Sequence, residues 1–145
     1  MMAIKRHSHR TAAAESLSKH IHHMLPIGRA PSSPGEMLLH EFLEPTGMIQ
    51  VELAKRIGVS YPHVNELVNG KRSLTPDTAL RLARLFGVSV EFWMTGQMLW
   101  DMWHVIYSPV AADIEKIEPM WPEMDEADIE EEDEFVAASE QTATD

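Results

Sequence analysis

The sequence has no cysteine among its 145 residues, and this absence excludes several kinds of site. Without thiols the chain has no disulfide framework, no thiolate metal site and no cysteine nucleophile. No run approaches about 18 consecutive apolar residues, so no segment is predicted to span a membrane. The N-terminal residues include basic side chains but no continuous apolar stretch, which argues against a secretory signal. We therefore expect a cytoplasmic protein.

The signatures of common enzyme classes are also missing. There is no glycine-rich phosphate loop and no H-E-x-x-H or G-x-S-x-G pattern. The N-terminal region holds five histidines, at positions 7, 9, 20, 22 and 23, but no set of carboxylates or cysteines accompanies them. A mobile, partly basic arm explains them better than a metal site does. We expect no enzyme activity, no cofactor and no bound metal.

The acidic residues are confined mostly to one end of the chain. The net charge is −11, yet residues 1–112 hold 11 Lys and Arg against 9 Asp and Glu. Residues 113–145 hold one Lys and 14 Asp and Glu. The negative charge is thus a property of the C-terminal tail, and the remainder of the chain can still approach DNA.

Apolar residues recur at helical spacing through the middle of the chain, and no alternating strand pattern accompanies them. Ser33 and Glu36 form a capping box with proline at the next position, and Thr75 precedes another proline in the same way. These signals predict five helices, at about residues 34–44, 50–57, 61–68, 76–86 and 90–107. The fold class is therefore all-α, with a domain at residues 33–110, an N-terminal arm at 1–32 and an acidic tail at 111–145. We expect the arm to be flexible and the tail to be disordered, with a short helix at 125–138 as the alternative for the tail.

The segment QVELAKRIGVSYPHVNELVNGKR predicts a helix-turn-helix, which we place at residues 50–69. Gly58 suits the left-handed residue that ends the first helix, and Ser60 can cap the second. A pair of short helices crossing each other is a common way to present a helix to a DNA groove. Ile49 occupies the cap position of the first helix, where its side chain cannot accept a hydrogen bond, and about 1 kcal/mol of stabilisation is absent there.

Three motifs carry a resemblance to a known family: PGE…L..EFLEP.G, then NE.VNGKR..T.DTALRLAR.FG, then S.EFW. Over about residues 33–107 the sequence resembles HigA-type antitoxins, a branch of the lambda-repressor-like helix-turn-helix proteins. The resemblance implies a five-helix lambda-repressor-like DNA-binding domain that dimerises and binds a palindromic operator in its own promoter. It also implies neutralisation of a RelE/HigB-like toxin that cleaves mRNA. Members usually carry a polar cap in place of Ile49 and often carry Arg or another long polar residue in place of Tyr61 and His63. The acidic extension lies outside their shared core.

When a helix-turn-helix binds DNA, the N-terminal residues of its second helix contact base edges in the major groove. Asn65 can bind adenine through two hydrogen bonds, Glu66 can accept from a cytosine amino group, and Tyr61 can contact a thymine methyl group. The basic pair after the second helix suits phosphate contacts. The alternative for each of these side chains is an ordinary solvated or capping role. The candidate DNA-binding residues are Gln50, Ser60, Tyr61, His63, Asn65, Glu66, Lys71 and Arg72.

The fifth predicted helix, EFWMTGQMLWDMWHVIY, carries more tryptophan and methionine than a small core needs. Phe92 and one or two of the tryptophans should lie in the core. An exposed patch made by the others would mark an interaction site. The candidate homodimer interface consists of Trp93, Met94, Trp100 and Trp103.

Three hypotheses for function remain. The first is an antitoxin of a type II toxin–antitoxin module that also represses its own operon, with double-stranded operator DNA and the cognate toxin as partners. The second is a stand-alone helix-turn-helix transcriptional repressor without a toxin. The third is an adaptor on the same scaffold that does not bind DNA and in which the acidic tail is the working part.

Overall fold

The structure, a computed structural model, describes residues 29–121 together with Ala14 and Leu17. Within these residues the fold is helical and contains no strand, which confirms the all-α prediction. Helix α1 is continuous through three segments, Pro34–Met37, a π-helical Leu38–Leu43 and Glu44–Thr46. The helices that follow are α2 Gln50–Ile57, α3 Tyr61–Val68, α4 Pro76–Phe86, α5 Val90–Ile106 and α6 Val110–Glu115.

Two details differ from the predicted five helices. Helix α6 was not predicted, because Pro109 was interpreted as the end of the helical region; it instead immediately precedes a further short helix. Helix α1 passes the predicted end at Glu44 and stops at Gly47, which has a left-handed φ of 67°. Its π-helical segment ends at Leu43, two residues before Pro45, whose nitrogen has no hydrogen to donate within the helix.

Polar side chains cap four of the six helices in the described region. The capping box at the start of α1 is present: Ser33 Oγ accepts the Glu36 amide at 3.1 Å, and Glu36 Oε2 accepts the Ser33 amide at 3.2 Å. Side chains of Ser60, Thr75 and Ser89 cap α3, α4 and α5 in the same sense. Helix α2 begins at Ile49 without a side-chain cap, as predicted.

The main core lies where α1 to α5 converge. It is built from aliphatic side chains and Trp93, which is 1% exposed and packs against Phe42 with ring centroids 5.0 Å apart. The buried members are Leu38, Leu43, Leu53, Ala54, Ile57, Val64, Leu67, Val68, Leu74, Ala79, Leu82 and Trp93. This core holds α2 and α3 against a frame formed by α1, α4 and α5.

Gly35 permits an unusually close approach between α1 and α3. A Cβ atom built at this position would lie 1.8 Å from the carbonyl oxygen of Leu67, which belongs to the last turn of α3. Any side chain would therefore push the two helices apart. The first turn of α1 fixes the position of α3 by direct backbone packing.

A second apolar cluster joins the N-terminal region to α5. Ala14 and Leu17 are helical, and Ala14 is only 2% exposed. They pack with side chains from the C-terminal half of α5 and its cap, namely Leu99, Trp103, Ile106 and Tyr107. At these two positions, then, the predicted flexible arm is packed against the domain.

Chain contacts define one unit that ends at Glu115 and a second that begins at Lys116. Helix α6 belongs to the first unit, and residues 116–121 are exposed. The remainder of the acidic tail, including the possible helix at 125–138, lies outside the described residues. No helix in the described part of the chain is both long and apolar enough to cross a membrane.

Candidate nucleic-acid interface

Helices α2 and α3 are joined by a tight turn of the predicted kind. Gly58 ends α2 with a left-handed φ of 73°, and its amide donates to the carbonyl of Ala54 at 2.9 Å. Ser60 then begins α3, with its hydroxyl accepting the His63 amide at 3.3 Å. Apolar side chains from both helices face the core, so their remaining faces meet solvent. The exposed N-terminal turn of α3 is thus held on a rigid support.

A hydrogen bond connects the first residue of α2 to the middle of α3. Asn65 Nδ2 donates to Gln50 Oε1 at 3.1 Å, and the hydroxyl of Tyr61 lies 3.5 Å from the same nitrogen. The contact uses one of the two hydrogens on Asn65 Nδ2 and the Gln50 acceptor. The Asn65 oxygen and the Gln50 amide nitrogen remain available to form hydrogen bonds with a base edge or a phosphate. We call Gln50, Tyr61 and Asn65 the reading group.

Glu66 and Arg72 are paired with each other. Their closest atoms, Glu66 Oε2 and Arg72 Nη2, are 2.7 Å apart, and Arg72 Nε also donates to Glu66 Oε2 at 2.9 Å. Both side chains are about half exposed, so the pair can open when a ligand offers a better partner. In the free protein, however, the pair offsets one positive and one negative charge, while Lys71 beside it is exposed.

His63 points toward α4 and only partly toward solvent. Its Nε2 atom lies 3.2 Å from Thr78 Oγ1, at hydrogen-bond distance, and its side chain is half-buried. Thr78 is 1% exposed. The structure therefore separates His63 from the reading group, although Tyr61 and Asn65 of that group belong to the same helix as His63.

Exposed apolar side chains lie next to Gln50 and Asn65. Ile49 is 66% exposed, Val51 is 43% exposed and Tyr61 is 47% exposed. With Met48 and Gly47 they line an open cleft next to the start of α2. The cleft is mainly apolar, and no basic side chain of the described residues lines it.

The region containing these helices matches known proteins. Residues 39–93 match the family profile described as Helix-turn-helix. The chain is 42% identical over 77 residues to the uncharacterized HTH-type transcriptional regulator YbaQ of Escherichia coli K12, covering 53% of this chain and 68% of that protein. It is 44% identical over 75 residues to antitoxin HigA-1 of Vibrio cholerae, covering 52% of this chain and 70% of the relative. The chain belongs to the HigA-type branch of the helix-turn-helix family.

A solved structure supports the same assignment. The Pseudomonas aeruginosa antitoxin HigA with higBA promoter superposes with a TM-score of 0.59 at 34% sequence identity, covering 63% of this chain and 99% of that one. The HigA-type family is one of regulators and not of enzymes, which agrees with the missing enzyme motifs. Within the described residues no group of three or more metal-ligating side chains comes together, and the histidine-containing arm lies outside them.

The predicted dimer residues of this HigA-type chain do not form one exposed patch. Trp93 is 1% exposed and belongs to the main core, so its assignment to a dimer surface was wrong. Trp103 packs in the cluster with Ala14 and Ile106, while Met94 and Trp100 are half-buried. Phe92, expected in the core, is 37% exposed. The exposed apolar side chains of α5 also include Met98 at 41% and Val105 at 42%.

The sequence interpretation missed two α4 residues that contact α2 and α3. Thr78 contacts His63, and Arg81 Nη1 donates to the carbonyl oxygen of Ile57 at 2.7 Å. A signal for Thr78 was present, because it lies four residues before Leu82 and hence on the buried face of α4. A hydroxyl at such a position needs a partner inside the protein. Arg81 gave no comparable signal, since its spacing suggested only a solvated charge.

Proposed function

We propose that this HigA-type protein is a sequence-specific DNA-binding repressor of its own promoter and the antitoxin of a type II toxin–antitoxin module. The observation that carries the DNA-binding half is the reading group. A hydrogen-bonded Gln50–Asn65 pair bridges α2 and α3 at 3.1 Å beside the capped start of α3. A HigA antitoxin of similar fold is known with its promoter, which supports the same ligand here.

In the complex, the N-terminal turn of α3 enters the major groove while α2 crosses the DNA backbone. Asn65 accepts from and donates to an adenine edge, and Tyr61 contacts a thymine methyl group. The Gln50 amide and the exposed Ser60 hydroxyl lie at the starts of α2 and α3, where they meet phosphate or sugar. Lys71 contacts phosphate directly. Glu66 and Arg72 take part by opening their ion pair, with the carboxylate turning to cytosine and the guanidinium to phosphate.

Homodimerisation supplies the affinity that one domain lacks. Because Arg72 is paired with Glu66, Lys71 is the cation after α3 that has no ion-pair partner among the described residues. Two linked domains bind two half-sites with the benefit of a high effective concentration. The side of α5 that carries Met94 and Met98, four residues apart, is the proposed dimer surface. Trp100 lies on another side of the helix, where it lines a pocket with Gly35 and Lys71, and Trp93 lies in the core.

The toxin half of the proposal is supported by a relative named antitoxin HigA-1. The partner we propose is a RelE/HigB-like mRNA-cleaving protein, which the antitoxin holds inactive. The second candidate is a stand-alone repressor without a toxin, and the relative named HTH-type transcriptional regulator favours it. Both candidates share the DNA-binding step.

DNA binding is tested with the full chain and the DNA directly upstream of its own gene, in a gel-shift assay at physiological salt. The protein should bind this duplex more tightly than a shuffled duplex of equal length. Asn65→Ala should reduce that preference. Lys71→Ala should weaken binding to both duplexes, and the slope of log affinity against log salt concentration should fall by about one. Equal binding of both duplexes by the wild-type chain would contradict the repressor function, and binding to neither duplex would favour the adaptor.

The antitoxin function is tested by co-expression with the neighbouring gene product. If that product arrests growth and the full chain restores it, the protein is an antitoxin. Rescue should persist in Asn65→Ala, because toxin binding does not require base reading. Operator binding with no toxic neighbour and no rescue would instead establish the stand-alone repressor.

A further inference from the structure

A polar contact between α3 and α4 has no role in the docking mode proposed above. His63 lies in the first turn of α3, and its Nε2 atom is 3.2 Å from Thr78 Oγ1. The Thr78 side chain is 1% exposed, so its hydroxyl must find its partners within the protein. His63 reaches in from the half-buried side of α3 and provides one of them.

Thr78 is itself held in place by the helix cap of α4. Its backbone amide donates to Thr75 Oγ1 at 3.4 Å, and the two threonine hydroxyl oxygens are 3.3 Å apart. Thr75 begins α4 and is followed by Pro76, which restricts the backbone there. The group that His63 contacts is therefore fixed to the backbone of α4 and not carried on a long mobile side chain.

A second contact from α4 is made to α2. Arg81 Nη1 donates at 2.7 Å to the carbonyl of Ile57, one of the last α2 carbonyls that lack an α-helical partner. Arg81 also pairs with Asp77 at 3.0 Å, which directs its side chain. Thr78 and Arg81 are three residues apart and so share one side of α4. One turn of α4 thus contacts both α2 and α3.

We propose that His63 is a positioning residue, whose contact with Thr78 acts with the Arg81–Ile57 contact to fix the angle between α3 and α2 for base reading. The inference rests on the proposed DNA-binding function. Hydrogen-bond recognition requires side chains held within about 0.5 Å and 10–20° of their productive geometry. The reading group spans both helices, so a small rotation of α3 misplaces Asn65 relative to Gln50.

The test compares variants that remove or keep this contact in the full chain. Thr78→Val keeps the shape and removes the hydroxyl, whereas Thr78→Ser keeps the hydroxyl and is the matched control. His63→Phe keeps a ring without its nitrogens. Affinity is measured for the duplex upstream of the chain's own gene and for a shuffled duplex, over a range of salt concentrations.

Thr78→Val and His63→Phe should each weaken binding to the upstream duplex about tenfold, the expected scale for one lost hydrogen bond. Binding to the shuffled duplex and the salt slope should stay at wild-type values, and Thr78→Ser should retain the preference. The double variant should lose no more than either single variant, because both remove one contact. Thermal unfolding of each variant verifies its fold, and the half-buried His63 position carries the test if Thr78→Val fails to fold.

Three results would overturn the inference. The first is that Thr78→Val leaves the preference for the upstream duplex unchanged while His63→Phe changes which base is preferred at one position. His63 would then be a base contact. Equal weakening on both duplexes with a smaller salt slope would make it a phosphate contact. A lower unfolding temperature with an unchanged preference would leave only a packing role. If the wild-type chain shows no preference for the upstream duplex, the proposed function fails and this inference fails with it.

Discussion

At the scale of single residues, two glycines differ in the space that is available for a Cβ atom. Gly35 leaves no room for a Cβ atom, because the carbonyl oxygen of Leu67 would lie 1.8 Å away. Gly96 lies within α5, and the nearest atom to a Cβ there is the sulfur of Met37 at 3.7 Å. The sequence alone did not distinguish them, since each is a glycine within a predicted helix. Only the approach of α1 to α3, which depends on the tertiary fold, makes Gly35 indispensable.

Gly35→Ala should destabilise the domain by about 3 kcal/mol, near the upper end for overpacking, because the obstacle is backbone and not a mobile side chain. The matched control is Gly96→Ala, which should stabilise the domain by about 0.8 kcal/mol through helix propensity. Thermal or urea unfolding measures both changes. Gly35→Ala should also weaken DNA binding, since α3 is displaced. Equal unfolding midpoints for the two variants would contradict the close approach.

His40 lies on the surface of α1 beside the carboxylate of Glu44. A hydrogen bond to Glu44, with Oε2 3.0 Å from Nδ1, and the charge of that carboxylate raise the pKa of His40 above its ordinary value of 6.5. The folded state thus holds this proton more firmly than the unfolded state does. The resulting stabilisation is complete below pH 6.5 and disappears as the pH rises through the folded-state pKa.

An NMR titration of the imidazole should therefore show a midpoint above 6.5 for His40 in the wild-type chain. In Glu44→Gln the midpoint should fall toward the ordinary value. Since the pair is exposed on the surface, the effect on unfolding temperature should be small and should weaken with added salt. An identical titration midpoint in the wild type and the variant would show that the ion pair does not form in solution.

At the scale of helices, local chemistry explains most of what was predictable. The starts of α1, α3, α4 and α5 follow from side-chain caps, and the ends of α2 and α4 follow from glycines with positive φ. The π-helical part of α1 and the short α6 were not predictable in this way. The π-helical part of α1 depends on how the helix adjusts before Pro45. Helix α6 depends on the burial of Ala111. The contacts of His63 and Arg81 also depend on where α4 packs.

Helix α2 offers a direct test of the missing cap. Ile49 has the extended backbone of a cap residue, with φ −85° and ψ 157°, but its side chain makes no capping hydrogen bond. Ile49→Ser should stabilise the domain by about 1 kcal/mol, because serine can accept an amide of the first turn. Its side chain is already 66% exposed, so little apolar burial is lost.

The control for this substitution is Val51→Ser, which replaces a nearby exposed apolar residue inside α2 with the same hydroxyl but provides no cap. It should not stabilise the domain. Urea unfolding of both variants separates capping from a general benefit of reducing exposed apolar surface. If the two serines raise stability equally, the cap explanation is wrong.

At the scale of the whole molecule, α5 carries apolar side chains on more sides than the main core covers. It contributes Trp93 to the main core and Ile106 to the cluster with Ala14, yet Met98 is still 41% exposed. Composition alone indicated an interaction surface but could not divide the aromatic residues between core and surface. That division depends on the packing of α1 and of Ala14 and Leu17.

Met98→Lys should weaken homodimerisation at least tenfold, because a charge placed in an apolar interface loses its hydration. Met120→Lys is the matched control, since Met120 is 86% exposed outside the helices, and it should leave self-association unchanged. Analytical ultracentrifugation over a range of concentrations measures both. Dimers of unchanged stability in Met98→Lys would place the interface elsewhere on the molecule.

Charge distribution is the other property of the whole molecule, and it governs how DNA is approached. The net charge of −11 repels DNA at long range, and residues 113–145 supply all of this excess negative charge. Neutralising Glu130, Glu131, Glu132, Asp133 and Glu134 to their amides removes five negative charges and takes the net charge to −6. This variant should bind a shuffled duplex more tightly at low salt, while its specificity for particular bases is unchanged.

The difference between the variant and the wild type should shrink as salt rises, because exposed charges are screened over about 8 Å at physiological ionic strength. Fluorescence anisotropy with a labelled shuffled duplex, measured from low to physiological salt, provides the comparison. Asn65→Ala is the complementary control, since it should alter binding to the upstream duplex alone. If the neutralised variant binds the shuffled duplex no more tightly at low salt, the tail does not act on DNA through its charge.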